Sequence, residues 1–143
     1  MEHIATELLH FLQHGNLLFE QMLSDAAQHW QISPAEARIL LFLFSTPHLD
    51  TARDVALHCG MSKASVSGNV LKLATRGLLT VDVDLADRRF QHLTLTEQSA
   101  PVLKTIQEKV LDFSHKLLSP LSHEEQTHLL DLLVRINARG SER

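Results

Sequence analysis

Ten histidines are the residues of this 143-residue chain whose type and number most readily suggest chemistry. His10 and His14 lie four positions apart on one face of a predicted helix, a spacing that can bring two imidazoles to one metal ion. No acid or thiol accompanies them at a fixed spacing, so we predict no metal site. His123 and His128 flank two glutamates, as in zinc proteases, but they are five positions apart and face different sides of a helix. A shared role of the histidines as a pH or metal sensor stays open.

Residues for other kinds of catalysis do not form a recognisable constellation in the sequence. The single cysteine, Cys59, falls at the end of a short predicted helix, where a packing residue is expected, so we interpret it as a structural thiol rather than a redox switch. One cysteine excludes an internal disulfide and a four-cysteine zinc site. No glycine-rich phosphate loop, nucleophile elbow or carboxylate pair occurs. We predict a protein that is not an enzyme and needs no cofactor.

Charge is distributed unevenly along the chain. The net charge is −4, but residues 51–95 carry six Lys or Arg and four Asp, a balance of +2 that leaves −6 for the remainder. A polyanionic partner is therefore expected at the middle of the chain. The N-terminus lacks the basic region of a signal peptide, and the apolar run 39–44 is far shorter than the roughly 20 residues of a membrane span. We predict a cytoplasmic protein without a membrane partner.

Apolar spacing predicts the helices that position the basic segment. Apolar residues recur at steps of three and four over residues 4–26, which indicates a long amphipathic helix. Capping signals open the next three helices: Ser33 with Glu36, Asp50 or Thr51 with Asp54, and Ser62 shortly after Gly60. The brief turn around Gly60 predicts that the helices on its two sides cross at a large angle. The second of them is expected to run from Lys63 to Thr75.

The period of the apolar residues changes after Gly77. Alternation over residues 79–85 and 91–95 predicts a β-hairpin with a charged tip. Thr96 is expected to cap the following helix, and Ser122 with Glu125 the last one. The element order predicts a mainly α fold: a winged helix-turn-helix with a two-stranded β-hairpin wing and long N- and C-terminal dimerisation helices. We expect one domain, 1–143, with a dimerisation layer at 1–31 and 97–139 and a DNA-binding portion at 33–96.

The helix after Gly60 has the composition of a DNA-reading helix. One stripe is apolar, and the residues off that stripe are short and polar with two lysines. At about 1.5 Å per residue this helix is roughly 20 Å long, enough to enter a major groove. Serine and asparagine can contact bases or phosphates, and a helix N-terminus favours a phosphate. The predicted DNA-binding residues here are Ser62, Lys63, Ser65, Ser67, Gly68, Asn69 and Lys72.

Two arginines at the hairpin tip extend this predicted surface. Arg88 and Arg89 follow Asp87 at the tip, where a guanidinium can enter the narrow minor groove beside the recognised major groove. Asp84 and Asp87 are expected to brace the tip as ion-pair partners. We therefore predict Arg88 and Arg89 as DNA-binding residues.

Several motifs resemble the MarR family of bacterial transcriptional regulators. They are the run 60–67, Arg76-Gly77-Leu78-Leu79, Asp84-x-x-Asp87-Arg88-Arg89 and Leu93-x-Leu95-Thr96-Glu97. The resemblance covers nearly the whole chain and implies a homodimer that represses nearby genes until a small ligand or oxidant relieves repression. It also implies groove-facing residues from Ser62 to Lys72 and a wing contact at Arg88. The chain departs from the family pattern at three positions. It has Ala86 where the family commonly has Arg or Lys, Gly68 where the family often has a longer polar residue, and Ser99 where the family usually has Gly.

These observations predict a sequence-specific DNA-binding regulator, a ligand-responsive repressor that reads a pseudo-palindromic operator as a homodimer. The resemblance implies an apolar or aromatic small-molecule effector bound between the dimerisation layer and the winged helix. Candidate effector-binding residues are His10, His14, Trp30 and Arg38. The alternative is a winged-helix protein-interaction module or antirepressor without DNA binding, which Ala86, Gly68 and the negative net charge favour. Salt dependence of DNA binding discriminates between the two.

Overall fold

The computed structural model describes residues 1–140, which form six α-helices, a short 3-10 turn and two strands. The elements are α1 (Glu2–Trp30), α2 (Pro34–Ser45), α3 (Ala52–His58), α4 (Lys63–Thr75), β1 (Leu79–Val83), β2 (Gln91–Leu95), the 3-10 turn Glu97–Ser99, α5 (Ala100–Leu118) and α6 (His123–Gly140). This order confirms the predicted winged helix-turn-helix with long terminal helices.

Helix starts are fixed by local capping hydrogen bonds. The Ser33 hydroxyl accepts from the Glu36 amide at 3.1 Å, and the Glu36 carboxylate accepts from the Ser33 amide at 3.2 Å. Thr51 and Asp54 form the same reciprocal pair at the start of α3, which selects Thr51 rather than Asp50 as the cap. Ser122 and Glu125 repeat it before α6. Each box satisfies backbone donors that the first helical turn leaves unpaired.

Glycines in the left-handed conformation end α3 and α4. Gly60 has φ 63° and Gly77 has φ 74°. After each, the next amide reaches back across the helix end, from Met61 to the Ala56 carbonyl at 3.1 Å and from Leu78 to the Leu73 carbonyl at 3.0 Å. These contacts close the helix C-termini and turn the chain sharply.

Alanine at two glycines of this region is expected to change stability in opposite directions. Gly68 is inside α4 with open space at its Cβ position, so Gly68→Ala should raise the free energy of unfolding by about 0.5–1 kcal/mol. Gly77→Ala should lower it by roughly 1–2 kcal/mol, since its positive φ disfavours a side chain and the new methyl group would crowd Gln98. Urea unfolding of both variants measures the difference; equal effects would contradict the assigned backbone conformations.

The two strands form an antiparallel hairpin with Leu79 opposite Leu95 and Val83 opposite Gln91. The predicted first strand, 79–85, is two residues too long because Asp84 turns the chain: its carboxylate accepts from the amides of Ala86 and Asp87 at 2.8 and 3.0 Å. The loop before α3 joins the hairpin through a bridge between Thr51 and His92. The wing is therefore attached to the helix-turn-helix by backbone pairing that the sequence did not predict.

The prediction that Thr96 caps α5 is wrong. Its hydroxyl donates to the Gly77 carbonyl at 2.5 Å, and it makes no capping bond. A 3-10 turn follows, in which the buried Ser99 donates its hydroxyl to the Thr96 carbonyl at 2.6 Å, and α5 begins only at Ala100. Thr96 thus fastens the end of the wing to the end of α4.

The apolar core lies within the first of two compact units, residues 1–110. Fully buried side chains come from α1 to α5 and from the wing: Leu23, Ile39, Leu40, Val55, Val66, Leu73, Leu79, Val102 and Ile106. The second unit begins at Leu111 and contains the end of α5 and α6, in which no residue is buried.

Large apolar side chains remain exposed on α1 and on α6. On α1 they are Ile4, Leu8, Leu9, Phe11, Leu12 and Leu17, and on α6 they are Leu130, Leu133, Val134 and Ile136. Within residues 1–140, no helix is both apolar enough and long enough to cross a bilayer. These exposed stripes are the surfaces that the sequence predicts to be covered in a dimer.

Candidate nucleic-acid interface

Helix α4 presents one buried and one exposed face. Val66, Val70 and Leu73 pack into the core, as predicted from their spacing. Most of the predicted DNA-binding residues are exposed: Ser62, Lys63, Ser65, Ser67, Gly68 and Lys72. Lys63 and Lys72, at the two ends of the helix, have no acidic partner among residues 1–140, so their charges are available to a phosphate.

Asn69 differs from the other predicted contacts because its amide is engaged within the chain. It is half-buried, its Nδ2 donates to the Ser65 carbonyl at 2.8 Å, and its Oδ1 accepts from the Ser33 hydroxyl at 3.4 Å. Asn69 therefore ties α4 to the start of α2. Ser62 also has an internal role, since its hydroxyl accepts from the Ser65 amide at 3.1 Å as the cap of α4.

Three residues that were not predicted as DNA contacts share the outward face of α4 with Gly68. Ala64, Leu71 and Thr75 are exposed, and helical geometry places them opposite the buried stripe. Leu71 is 67% exposed, although it is a leucine in the middle of a helix. Leu71 is three residues after Gly68, and this helical spacing could have predicted that both lie on the outward face. Apolar side chains in a major groove can contact the methyl group of thymine.

The two wing arginines have different surroundings. Arg89 is held by Asp87, with its Nε 3.0 Å from Oδ1 and its Nη2 2.7 Å from Oδ2. This pairing lowers the pKa of Asp87 below its usual value and raises that of Arg89. Arg88 is exposed and makes no hydrogen bond or ion pair with the described part of the chain. Asp87 thus braces Arg89 and leaves Arg88 as the available guanidinium of the wing tip.

Arg76 and His92 are polar residues near this surface whose roles the sequence did not reveal. The Arg76 guanidinium donates to the carbonyls of Gln31 and Trp30 at 3.0 and 2.9 Å, so it joins the end of α4 to the end of α1. The His92 ring lies between the carboxylates of Asp50 and Asp84. Three of these four partners are 42–46 residues away in sequence, which is why residue type and spacing gave no signal.

The four candidate effector-binding residues are not brought together within the chain. His10 and His14 are exposed in the first half of α1, whereas Trp30 is its last residue, and a separation of 16–20 helical residues is roughly 24–30 Å. Trp30 donates its indole N–H to the Thr105 hydroxyl at 2.9 Å. Arg38 pairs with Glu20 and lies 5.3 Å from the centroid of the Phe19 ring. These four residues therefore do not form one site within a single chain, and their role in effector binding stays a prediction.

Within the described residues, Cys59 and the histidines do not form a reactive thiol site or a metal site. Cys59 is half-buried as the C-cap of α3, and burial raises the pKa of its thiol, which disfavours the reactive thiolate. Phe42 stacks on His58 with ring centroids 5.8 Å apart. Among residues 1–140, no group of three or more His, Cys, Asp or Glu is arranged to hold a metal ion.

Comparison with known proteins finds a family that is similar over this surface. The sequence profile of the MarR family matches residues 30–89, which extend from the end of α1 to the wing tip. The HTH-type transcriptional regulator TcaR of Staphylococcus aureus is 27% identical over 131 residues, covering 90% of this chain and 85% of TcaR. PecS of Dickeya dadantii, another HTH-type transcriptional regulator, is 24% identical over 127 residues and covers 87% and 76% of the two chains.

Solved structures share the whole fold. A MarR transcriptional regulator from Methanosarcina mazei aligns with a TM-score of 0.73 at 15% identity, covering 99% of both chains. MepR of S. aureus in complex with DNA gives a TM-score of 0.66 at 19% identity, covering 94% of this chain and 96% of MepR. PcaV of Streptomyces coelicolor, in complex with its natural ligand, gives 0.59 at 27% identity, covering 96% and 91%. The profile match, the two regulators and the shared fold agree with the motifs of the wing and of α4: this chain is similar to the MarR family.

Proposed function

We propose that this protein is a DNA-binding transcriptional repressor that reads a pseudo-palindromic operator as a homodimer and releases it when a small molecule binds. The observation that carries the proposal is the pairing of an exposed reading face on α4 with an uncommitted guanidinium, Arg88, at the wing tip. A helix in the major groove and an arginine in the adjoining minor groove form one continuous contact surface. The role is binding to chromosomal DNA in the cytoplasm, not catalysis.

Charge supports DNA as the partner in spite of the net charge of −4. Lys63, Lys72 and Arg88 have no acidic partner within residues 1–140, so binding phosphates would not require an existing ion pair to break. The N-terminus of α4 at Ser62 adds the positive end of a helix dipole. Two of the three acidic residues of the wing, Asp84 and Asp87, are satisfied internally by amides, Arg89 and His92.

Dimerisation is supported by the apolar side chains left exposed on α1 and α6. Leu8, Leu9, Phe11 and Leu12 are each more than half exposed in one turn and a half of α1. Stripes of this size on a small domain are covered by a partner in stable proteins. A second copy related by a two-fold axis would place the two α4 helices roughly 34 Å apart, one helical turn of DNA. Sedimentation of a monomer at micromolar concentration would contradict this assembly.

We propose that the effector is a small molecule, because PcaV, which shares the fold, is known in complex with its natural ligand. The resemblance to the MarR family implies that this molecule is apolar or aromatic. No cavity formed by His10, His14, Trp30 and Arg38 supports a particular position for it within one chain. We propose that they contribute to binding it when the chain is part of a dimer.

The test is selection of duplexes from a random library by the purified protein at roughly physiological salt, followed by sequencing. We expect a two-fold symmetric motif with half-sites about one helical turn apart. Affinity for a selected duplex should then fall steeply as salt rises, in proportion to the number of phosphates contacted. If no motif is enriched and duplex affinity shows no salt dependence, the protein is a winged-helix interaction module and the proposed function is wrong.

A further inference from the structure

The His92 imidazole bridges two carboxylates from separate parts of the chain. Its Nδ1 lies 3.0 Å from Oδ1 of Asp50, in the loop between α2 and α3, and its Nε2 lies 2.9 Å from Oδ2 of Asp84, where the wing turns. The His92 side chain is 35% exposed, so solvent and protons reach it. The contacts form one hydrogen-bonded chain from the helix-turn-helix to the wing.

This geometry requires the charged form of histidine. An ionised carboxylate only accepts hydrogen bonds, and a neutral imidazole has one N–H, so both contacts are hydrogen bonds only when both ring nitrogens carry a proton. The contact with Asp84, followed by that with Asp50, raises the pKa of His92 above its usual value of 6.5. The pKa of Asp84 is lowered, first by His92 and then by the amides of Asp87 and Ala86.

The remaining charged groups around His92 do not replace this pairing. Asp82 is the cross-strand partner of His92 and adds a third carboxylate to the same face of the hairpin. On α3, Asp54 is committed to the Thr51 cap and Arg53 is exposed. The surroundings of His92 are thus predominantly acidic, and its proton is the positive charge that holds them together.

Asp84 connects this histidine to the DNA-facing tip. While Oδ2 accepts from His92, Oδ1 accepts from the amides of Ala86 and Asp87, which fixes the turn of the wing. Asp87 in turn binds Arg89 and sets the backbone from which Arg88 projects. A shift of Asp84 therefore displaces the residue that we expect in the minor groove.

We propose that protonated His92 is a positioning residue that fastens the wing tip to the loop before α3 and makes DNA affinity depend on pH. The proposal rests on the proposed DNA-binding function. The clasp, meaning the three side chains of Asp50, His92 and Asp84, is complete at pH values where both carboxylates are ionised and His92 is protonated. It is fully present below pH 6.5 and is lost as pH rises through the folded-state pKa of His92; on the acid side it is lost as pH falls through the lowered pKa of Asp84.

The first test uses the free protein, so it does not depend on DNA binding. The pKa of His92 is measured by NMR titration of its imidazole, together with exchange protection of the Ala86 and Asp87 amides, corrected for the intrinsic effect of pH. We expect a pKa above 6.5, a decrease of that pKa in Asp50→Asn, and loss of amide protection as His92 deprotonates. A His92 pKa at or below 6.5, or amide protection that does not change when His92 deprotonates, would overturn the clasp.

The second test measures affinity for a selected duplex by fluorescence anisotropy from pH 6.0 to 8.5 at constant ionic strength. We expect affinity to fall about 3- to 10-fold over this range in the natural protein. His92→Lys should remove most of this fall, because lysine stays charged, and His92→Gln should bind weakly throughout. The matched control His48→Gln removes an exposed histidine two residues from Asp50 and should keep the natural profile.

The outcomes of the two tests separate the two proposals. If His92→Lys and His92→Gln both keep the pH profile of the natural protein, the histidine does not couple protonation to DNA affinity and the inference is wrong. If no duplex binds at any pH while the free-protein titration behaves as expected, the clasp exists and the proposed DNA-binding function is what fails.

Discussion

Replacing Arg88 with alanine is expected to weaken operator binding by about 1–3 kcal/mol at each half-site, which is roughly 5- to 150-fold per wing. Two wings contact a symmetric operator, so the losses should nearly add for the dimer. The reason is that Arg88 forms no hydrogen bond or ion pair within residues 1–140, so its charge is available to bind a phosphate or a base. The measurement is anisotropy with a selected duplex, accompanied by thermal unfolding, which should not change because Arg88 is exposed.

Two matched variants show whether the effect belongs to Arg88 itself. Lys104→Ala removes the same formal charge from an exposed position on α5 and should change affinity little. Arg89→Ala breaks the contact with Asp87 and should weaken binding less than Arg88→Ala, because Arg89 acts by bracing the tip. Equal losses for Arg88→Ala and Lys104→Ala would show that only overall charge matters and that the wing does not enter the groove.

The largest loss of stability is expected on α4, the helix that carries the reading face. Leu73 is fully buried, at 0% exposure, so Leu73→Ala should lower the free energy of unfolding by about 2–5 kcal/mol through lost burial and the remaining cavity. Leu71→Ala makes the same chemical change two residues earlier, at a side chain that is 67% exposed, and should cost less than about 0.5 kcal/mol.

Urea unfolding at one fixed protein concentration compares these two leucines, since the stability of a dimer depends on concentration. The pair tests the orientation of α4 directly. Similar losses for both variants would mean that α4 is rotated about its axis relative to the structure described above, and the assignment of the DNA-facing residues would fail with it.

Local hydrogen bonds explain how much of the fold could be predicted from sequence. Ser33 with Glu36, and Ser122 with Glu125, are three residues apart, so residue type and spacing suffice to predict the bonds they form. Thr96 has the same residue type as a good cap, but its hydroxyl goes to the Gly77 carbonyl, 19 residues away. A partner brought near by tertiary folding overrides the local preference, and the sequence contains no sign of it.

The same distinction applies to the candidate site. The exposed and buried faces of α4 follow from helical period, so Lys63 and Lys72 could be predicted as exposed cations. Asn69 looked equally available, yet its amide is bonded to Ser33, 36 residues earlier. The His92 and Asp50 pair spans 42 residues. Such contacts depend on how α2, α4 and the wing pack together, which the spacing of residues along one element does not encode.

Arg76 links the C-terminal end of α4 to the C-terminal end of α1. Its guanidinium occupies the Trp30 and Gln31 carbonyls, which the helix end would otherwise leave unpaired. The 29 residues of α1 form a rod about 43 Å long, so a tilt of about 5° at its first turn displaces Trp30 by roughly 4 Å. That displacement exceeds the spacing of successive bases, about 3.4 Å. We therefore expect a small tilt of α1, transmitted through Arg76, to shift α4 by about the spacing of one base pair.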